Sequence, residues 1–277
     1  MRLLATDRLD GLRPAQIAVE QDHDTLLLPQ DILWAWGGIS ESGRGAAVLL
    51  LPLNAQRTRA VAPSVGPNLP CTRTMNESLP DKVFRLGHAL ATRPKDVSRW
   101  LTSWYVPPIR SGLPWLAWGA VDFLDRFLTR SHSVFEYGTG GSTIFFAKRA
   151  KSVTSVEDDP RWQRMVHDRL AEESLENVTL CPADSNVEPY ARSPYVLALD
   201  QPHDVILVDG HEHCQGVDRL ACFRQAEQFV RVGGVIVLDG AWRFDLQIGD
   251  TRARDVTRHE GIGPGRKWVT RTDVFHF

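Results

Sequence analysis

A chain of 277 residues, 43% hydrophobic and 24% charged, carries enough apolar material for one large or two modest domains, and it shows no internal repeat or low-complexity tract. Its formal net charge of −2, with arginines interspersed among acids, excludes a global field that would recruit nucleic acid or an anionic membrane. Cys71, Cys181, Cys214 and Cys222 form no Cys-x-x-Cys pair, the first residues hold no apolar core of signal-peptide length, and the apolar run Ala46–Leu53 is broken by Pro52, so a cytoplasmic protein without a membrane span is expected.

Taken in chain order, residues 1–76 read as a β-rich appendage of unknown role. Gln16–Leu28 and Ala46–Leu53 look strand-like, Gly37–Gly45 is a turn between them, and the stretch 57–76, with Pro63, Pro67 and Pro70, is a linker. Residues 77–130 read as a helical lead-in, a lid or a set of helices packed on a sheet edge, with packing the preferred reading. A first helix follows Pro80-Asp81 and places Val83, Phe84, Leu86 and Leu90 on one face. A second covers Pro94–Tyr105, with Trp100 and Trp104 one turn apart. A third covers Pro114–Thr129, with proline in its first turn and Leu116, Val121, Phe123, Leu124 and Phe127 apolar; Pro107-Pro108 and Gly112 punctuate the gap before it.

From residue 131 to 277 strands and helices alternate, which predicts a doubly wound, mostly parallel α/β sheet. Strands are expected at Ser133–Tyr137, Ser152–Glu157, Val178–Cys181, Asp204–Asp209 and Gly234–Asp239, with helices at Ser142–Ala150, Pro160–Ser174 and about Cys214–Arg231. Two further strands, near Arg252–Arg258 and Arg271–Phe277, flank the turn-rich Gly261–Gly265 and close the sheet at seven strands as a terminal hairpin.

Chemistry concentrates at the carboxyl ends of these strands, where open α/β sheets bind ligands. The first strand ends in Glu136 and breaks into Tyr137-Gly138-Thr139-Gly140-Gly141-Ser142, a turn whose glycines permit positive φ and close backbone approach. The second ends in Glu157, 19 residues after Gly138, placed to accept ribose hydroxyls, with Asp158 beside it and Asp159 expected to cap the helix at Pro160. Asp184 follows the third strand and could accept an adenine amino group, although an ordinary loop acid fits there nearly as well. The fourth delivers Asp209, His211 and His213, of which Asp209 and His211 are candidate bases, Asp209 also for a methionine ammonium or a metal. The fifth ends in Asp239.

These elements in this order resemble the class I S-adenosylmethionine-dependent methyltransferases over about Pro114–Phe277. The similarity is greatest to bacterial members with a Glu-Tyr-Gly-x-Gly-Gly-Ser-Thr turn and a Val-Glu-x-Asp-Pro-x-Trp second strand, here Val156–Trp162. The resemblance implies a Rossmann-like sheet of seven strands with the last antiparallel and S-adenosyl-L-methionine as cofactor. It places the methionine part on Glu136–Ser142, the ribose on Glu157 and the adenine on Asp184. Metal-dependent O-methyltransferases of the class carry Asp-Ala-Asp and Asp-Asn where this chain has Asp209-Gly-His211 and Asp239-Gly240, so no metal is expected. An Asn-Pro-Pro-Tyr type of motif is absent, which disfavours base nitrogen as the acceptor. The expectation is O-methylation of a small hydroxylated molecule, without nucleic acid as partner. The alternatives are a non-catalytic nucleoside- or partner-binding protein and, lower, a nicotinamide-dependent oxidoreductase, whose fingerprint would need glycine at Thr143.

Overall fold

A computed structural model describes residues 78–187, 189–210, 218–243 and 248–277. The appendage expected over 1–76, His211 and His213, and the start of the helix expected from Cys214 lie outside the described residues. Seven strands form one sheet in the order β3-β2-β1-β4-β5-β7-β6: β1 (Ser133–Tyr137), β2 (Ser152–Glu157), β3 (Val178–Pro182), β4 (His203–Val208), β5 (Val230–Asp239), β6 (Asp255–Gly261) and β7 (Thr270–His276). The first five are parallel, and β7 runs antiparallel to both β5 and β6, so β6 points the same way as β1–β5. The sheet is therefore the predicted one.

Its centre is built from continuous apolar runs, as strands covered on both faces require. Val205–Val208 of β4 and Val235–Leu238 of β5 are at most 1% exposed, and Ile206, Val208, Ile236 and Leu238 among them merge into one core with Phe135, Tyr137, Tyr195 and Phe223. The flanking helices are α5 (Gly141–Ala147), α6 (Pro160–Glu172), α7 (Pro194–Leu197) and α8 (Asp218–Phe229). Before β1 come α1 (Leu79–Thr92), α2 (Lys95–Ser103), α3 (Pro108–Ser111) and α4 (Trp118–Phe127). No helix among the described residues is long and apolar enough to cross a membrane.

Several boundaries depart from the sequence reading, each for a local reason. The helix expected from Pro114 begins at Trp118, because the preceding backbone is spent on the sheet. Ala117 N donates to Thr272 Oγ1 at 3.1 Å and Trp118 N to Ile262 O at 2.9 Å. The Pro107-Pro108 punctuation opens the short α3, with proline in the first turn, where its missing N–H costs nothing. The helix expected to reach Ala150 stops at Ala147; Arg130 and Asn177 both donate to the carbonyls of Ala147 and Ala150. At the far end of α8 the chain turns straight into β5, so Val230 and Arg231 are strand rather than helix, and Asp209 lies just past the end of β4.

Of the lead-in helices, α2 and α4 pack on the β6–β7 side, whereas α3 lies against α5 and α6. Phe123 of α4 lies 6.1 Å from the His259 ring and 5.7 Å from that of His276. Trp100 Nε1 of α2 donates to Arg266 O at 2.7 Å, and Ser103 Oγ accepts from Gly265 N at 3.0 Å. The face expected on α1 is the exception: no residue of α1 is buried, and Val83 and Phe84 are 54% and 75% exposed.

Candidate functional site

The carboxyl ends of β1, β2 and β4 converge on the glycine turn. Glu136 is fully buried. Its Oε1 accepts from Thr143 Oγ1 and, at 2.7 Å, from Ser155 Oγ, while Thr143 Oγ1 in turn accepts from Gly140 N at 2.9 Å. A chain of hydrogen bonds thus runs from the turn backbone through the first turn of α5 into the strand-end acid. Oε2 has no partner among the described residues. Burial pushes the Glu136 carboxyl up to about 7, against the hydroxyl bonds from Thr143 and Ser155 and the nearby Ser142 hydroxyl, with the charge of Asp209 adding to the rise.

Two glycines of the turn are required by their surroundings. Gly138 holds φ at +88°, and a Cβ there would stand 2.9 Å from Gly210 Cα, at the tip of the neighbouring strand β4. A Cβ on Gly141 would stand 2.3 Å from Leu113 O and 2.5 Å from Pro108 O, so α5 can begin there only without a side chain. Tyr137 contributes backbone alone: its ring is in the core and its hydroxyl donates to Val196 O at 2.8 Å, while its carbonyl accepts from Asp209 N at 3.3 Å. Ser142 is buried in the first turn of α5.

Glu157, at the end of β2, turns its carboxylate onto the same turn. Oε2 accepts from Thr139 N at 2.9 Å and Thr139 Oγ1 at 2.8 Å; Oε1 accepts from Asp158 N and Asp159 N at 3.0 and 3.1 Å. Burial nonetheless raises its carboxyl above the ordinary value. Asp159 caps α6 as expected, accepting from Arg161 N at 2.8 Å. Trp162 Nε1 closes the arrangement by donating to Thr139 O at 2.6 Å. Asp158 accepts from Ser185 Oγ. Asp184 is exposed after β3, its Oδ1 accepting from Asn186 N at 2.8 Å and its carbonyl from Tyr195 N at 3.4 Å.

The tips of β4 and β5 carry a second arrangement. Asp209 Oδ1 lies 3.1 Å from Arg219 Nη2, and Asp239 Oδ2 lies 3.4 Å from Arg219 Nη1 and 2.9 Å from Arg266 Nη2. Thr272 Oγ1 donates to Asp239 Oδ1 at 3.0 Å. Arg219 also donates to the carbonyls of Gly210 and Asp239, at 3.0 and 2.8 Å, which pins the two strand tips together. Burial and then the charge of Asp239 push the Asp209 carboxyl up to about 7 in spite of the two guanidiniums. Asp239 shares the burial, but Arg266, Arg219 and Thr272 outweigh it and hold that carboxyl below the usual range. The environments drive two neighbouring carboxyls apart, the pattern by which an acid and a base are separated in one site.

Six residues of these networks were not singled out in the sequence for a role at the site: Thr143, Ser155, Ser185, Arg219, Arg266 and Thr272. Thr143 left a signal, since it occupies the place where a dinucleotide fingerprint needs its third glycine. The others are brought in by strand register, by α8 and by the β6–β7 connection and have no local motif.

No family model matches the chain, and no curated protein matches it. Among solved structures it is similar to an rRNA methylase from Streptococcus thermophilus, at 18% identity over 56% of this chain and 93% of that one, with a TM-score of 0.43. It is also similar to a provisionally assigned O-methyltransferase from Klebsiella pneumoniae, at 16% identity over 70% and 98% with a TM-score of 0.44. A precorrin-6y C5,15-methyltransferase from Geobacter metallireducens matches at 15% over 56% and 86%, with a TM-score of 0.39. The strand order and the single antiparallel strand β7 are those of the class I methyltransferase fold.

Proposed function

We propose that this protein is an S-adenosylmethionine-dependent methyltransferase that methylates an oxygen of a small hydroxylated acceptor. One observation carries the reading: Glu136 is a fully buried acid at the base of a glycine turn, with one carboxylate oxygen that no described residue hydrogen-bonds. A buried carboxyl without a counter-charge is costly, and a cationic ligand in the turn would relieve it. The neighbouring strand ends carry Glu157, Asp158, Asp184 and Asp209, so this edge suits a sulfonium and an ammonium and repels a pyrophosphate. Thr143 supports the same choice, because its hydroxyl is engaged by Glu136 where a dinucleotide site needs glycine.

The residues fit the cofactor as follows. Glu136 through Ser142 would cradle the methionine part, Glu157 with Asp158 the ribose and Asp184 the adenine. When bound, S-adenosylmethionine supplies the electrophilic methyl group. What the chain must add is positioning, exclusion of water and removal of the acceptor proton. Asp209, raised to about 7 beside the ionised Asp239, is matched to proton transfer near neutral pH, and His211 follows two residues later as the second candidate. The net charge of −2 and the missing Asn-Pro-Pro-Tyr motif support a small acceptor oxygen over a nucleic-acid base.

Isothermal titration with S-adenosylhomocysteine tests the cofactor site. Micromolar binding is expected, weakened by roughly tenfold, about 1.4 kcal/mol, in Glu157→Gln. A folded wild-type protein that releases no heat with this ligand would overturn the reading.

A further inference from the structure

Of the run Val156–Trp162, the cofactor assignment above uses Glu157 and Asp158 and leaves Trp162 without a part. Trp162 stands in the first turn of α6, where the capping Asp159 accepts from its backbone N at 3.4 Å. Its half-buried indole reaches across to the β1–α5 turn, and Nε1 donates to Thr139 O at 2.6 Å. The N–H and the hydroxyl of the same threonine donate to Glu157 Oε2. Thr139 is therefore gripped by both ends of the β2–α6 connection. The peptide between Thr139 and Gly140 is held twice, its carbonyl by Trp162 and its N–H by Thr143 Oγ1 at 2.9 Å.

Gly140 differs from the other two glycines of the turn. At Gly138 and Gly141 a Cβ would stand 2.9 and 2.3 Å from backbone atoms, so the fold itself demands glycine there. At Gly140 the φ of 164° is extended backbone that any residue adopts. Among the described residues, the nearest atoms a Cβ would meet are Trp162 Cζ2 at 3.8 Å and Nε1 at 4.0 Å, which is ordinary van der Waals contact. The described fold thus has no need of glycine at 140, and the missing side chain keeps a narrow groove open along the indole edge. Glu136 independently marks this place as a ligand site. Its buried Oε2 has no hydrogen-bond partner among the described residues, and its Oε1 is joined to Gly140 N through Thr143 Oγ1.

We propose that Trp162 is a cofactor-binding residue: with Gly140 its indole edge walls a groove for the short sulfur-bearing chain that joins the methionine and ribose ends of the cofactor, and its N–H fixes the turn lining that groove. The inference rests on the methyl-transfer reading. Its placement follows from the neighbours. The methionine part is assigned to Glu136–Ser142 and the ribose to Glu157, and Thr139, bonded to Glu157, stands with Gly140 where the two assignments meet. The stretch of ligand that crosses there is sulfur and methylene groups, with no strong donor or acceptor. An indole edge whose N–H is already spent on Thr139 O offers such a chain an apolar contact at Cζ2 and leaves no polar group unpaired.

The test is isothermal titration of the full chain with S-adenosylhomocysteine and, separately, with adenosine, which lacks the sulfur-bearing chain. Gly140→Ala puts a methyl group into the groove without a clash in the protein. It should weaken S-adenosylhomocysteine by about tenfold or more while shifting Tm by no more than about 4 °C, the scale of a changed helix cap. Trp162→Phe keeps an aromatic ring but removes the N–H, and should weaken the same ligand by about fivefold, the scale of one net hydrogen bond. The smaller ring also makes room beside position 140, so the loss in the double variant should fall short of the product of the two by about threefold or more. Adenosine should lose less than about twofold in every variant, because it leaves the groove unused. Wild-type affinity in Gly140→Ala would overturn the groove, and losses that simply multiply would remove Trp162 from its wall. Equal losses for adenosine would overturn the assignment to the sulfur-bearing chain. A wild-type chain that binds no S-adenosylhomocysteine would overturn the methyl-transfer reading itself, which the other three outcomes leave standing.

Discussion

The two halves of the carboxyl edge reach similar electrostatics by different routes. At β1 and β2, Glu136 and Glu157 are held by hydroxyls and backbone N–H groups, nearly all drawn from residues 139–159. At β4 and β5, Asp209 and Asp239 are held by Arg219, Arg266 and Thr272, which come from α8, the β6–β7 connection and β7. Yet Glu136 and Asp209 both sit at about 7, because burial is the leading cause in each. The local half presents acids without a cation, as a site for a cationic ligand would. The distant half balances its acids with arginine and leaves one carboxyl able to exchange a proton near neutral pH.

The largest effect is expected where the local half is geometrically tightest. Gly141→Ala would put a methyl group 2.3 Å from Leu113 O and 2.5 Å from Pro108 O, both backbone atoms that cannot swing away. Overpacking of this kind costs about 3 kcal/mol, roughly 6–12 °C in Tm for a protein of this size. Differential scanning calorimetry reads it directly; a melt within a degree of wild type would mean that α3 and the turn are not in the contact described.

The same contrast decides what could be read from the sequence. The fold was legible because β4 and β5 hold the apolar runs Val205–Val208 and Val235–Leu238, each followed by an acid, and a buried parallel strand needs little else to be recognised. Glu136, Glu157 and Asp159 were legible because their partners lie within about one βα unit of them. Arg219 and Arg266 were not, since the fold alone brings them to Asp239, and nothing near either residue marks it. The start of α4 was misread because the backbone of Ala117 and Trp118 is claimed by Thr272 and Ile262, some 150 residues downstream. Long-range hydrogen bonds of this kind override a local proline signal. The exposure of α1 had a similar cause: periodicity marks an apolar face but cannot say whether a partner covers it.

A pH series separates the halves next. The Glu136 carboxyl is raised in the fold, so its protonated form favours the native state; its contribution is full below the unfolded value of about 4.5 and is lost as pH rises through about 7. Urea titrations from pH 4 to 8 should show stability falling across that window. Glu136→Gln keeps a carbonyl oxygen for Thr143 and Ser155 but cannot ionise, so it should remove up to about 3 kcal/mol of that fall. Asp209→Asn should remove a part at least as large, because its carboxyl is raised from about 3.8 to about 7 even with Arg219 and Arg266 offsetting the charge it acquires. Parallel curves for wild type and Glu136→Gln would show that the acid is not dry in the native state.

The smallest effect lies at the seam between the halves. Gly210 follows the tip of β4, touching Gly138 on one side, and its missing Cβ would stand 2.2 Å from Tyr195 Oη. That hydroxyl is buried and has no hydrogen-bond partner among the described residues, and burial holds its pKa well above 10. An unpaired buried hydroxyl is a cost to the fold, so Tyr195→Phe alone should leave stability unchanged or raise it by about 1 kcal/mol. Gly210→Ala alone should destabilise by about 1–2 kcal/mol, since the ring packs against Tyr137 at 5.6 Å and cannot turn aside. With both changes the new methyl group meets a ring carbon 3.2 Å away instead of an oxygen at 2.2 Å. A double-mutant cycle in urea should therefore return a favourable coupling of about 1 kcal/mol. Strict additivity would place Tyr195 away from Gly210 and detach the β4 tip from the core beneath it.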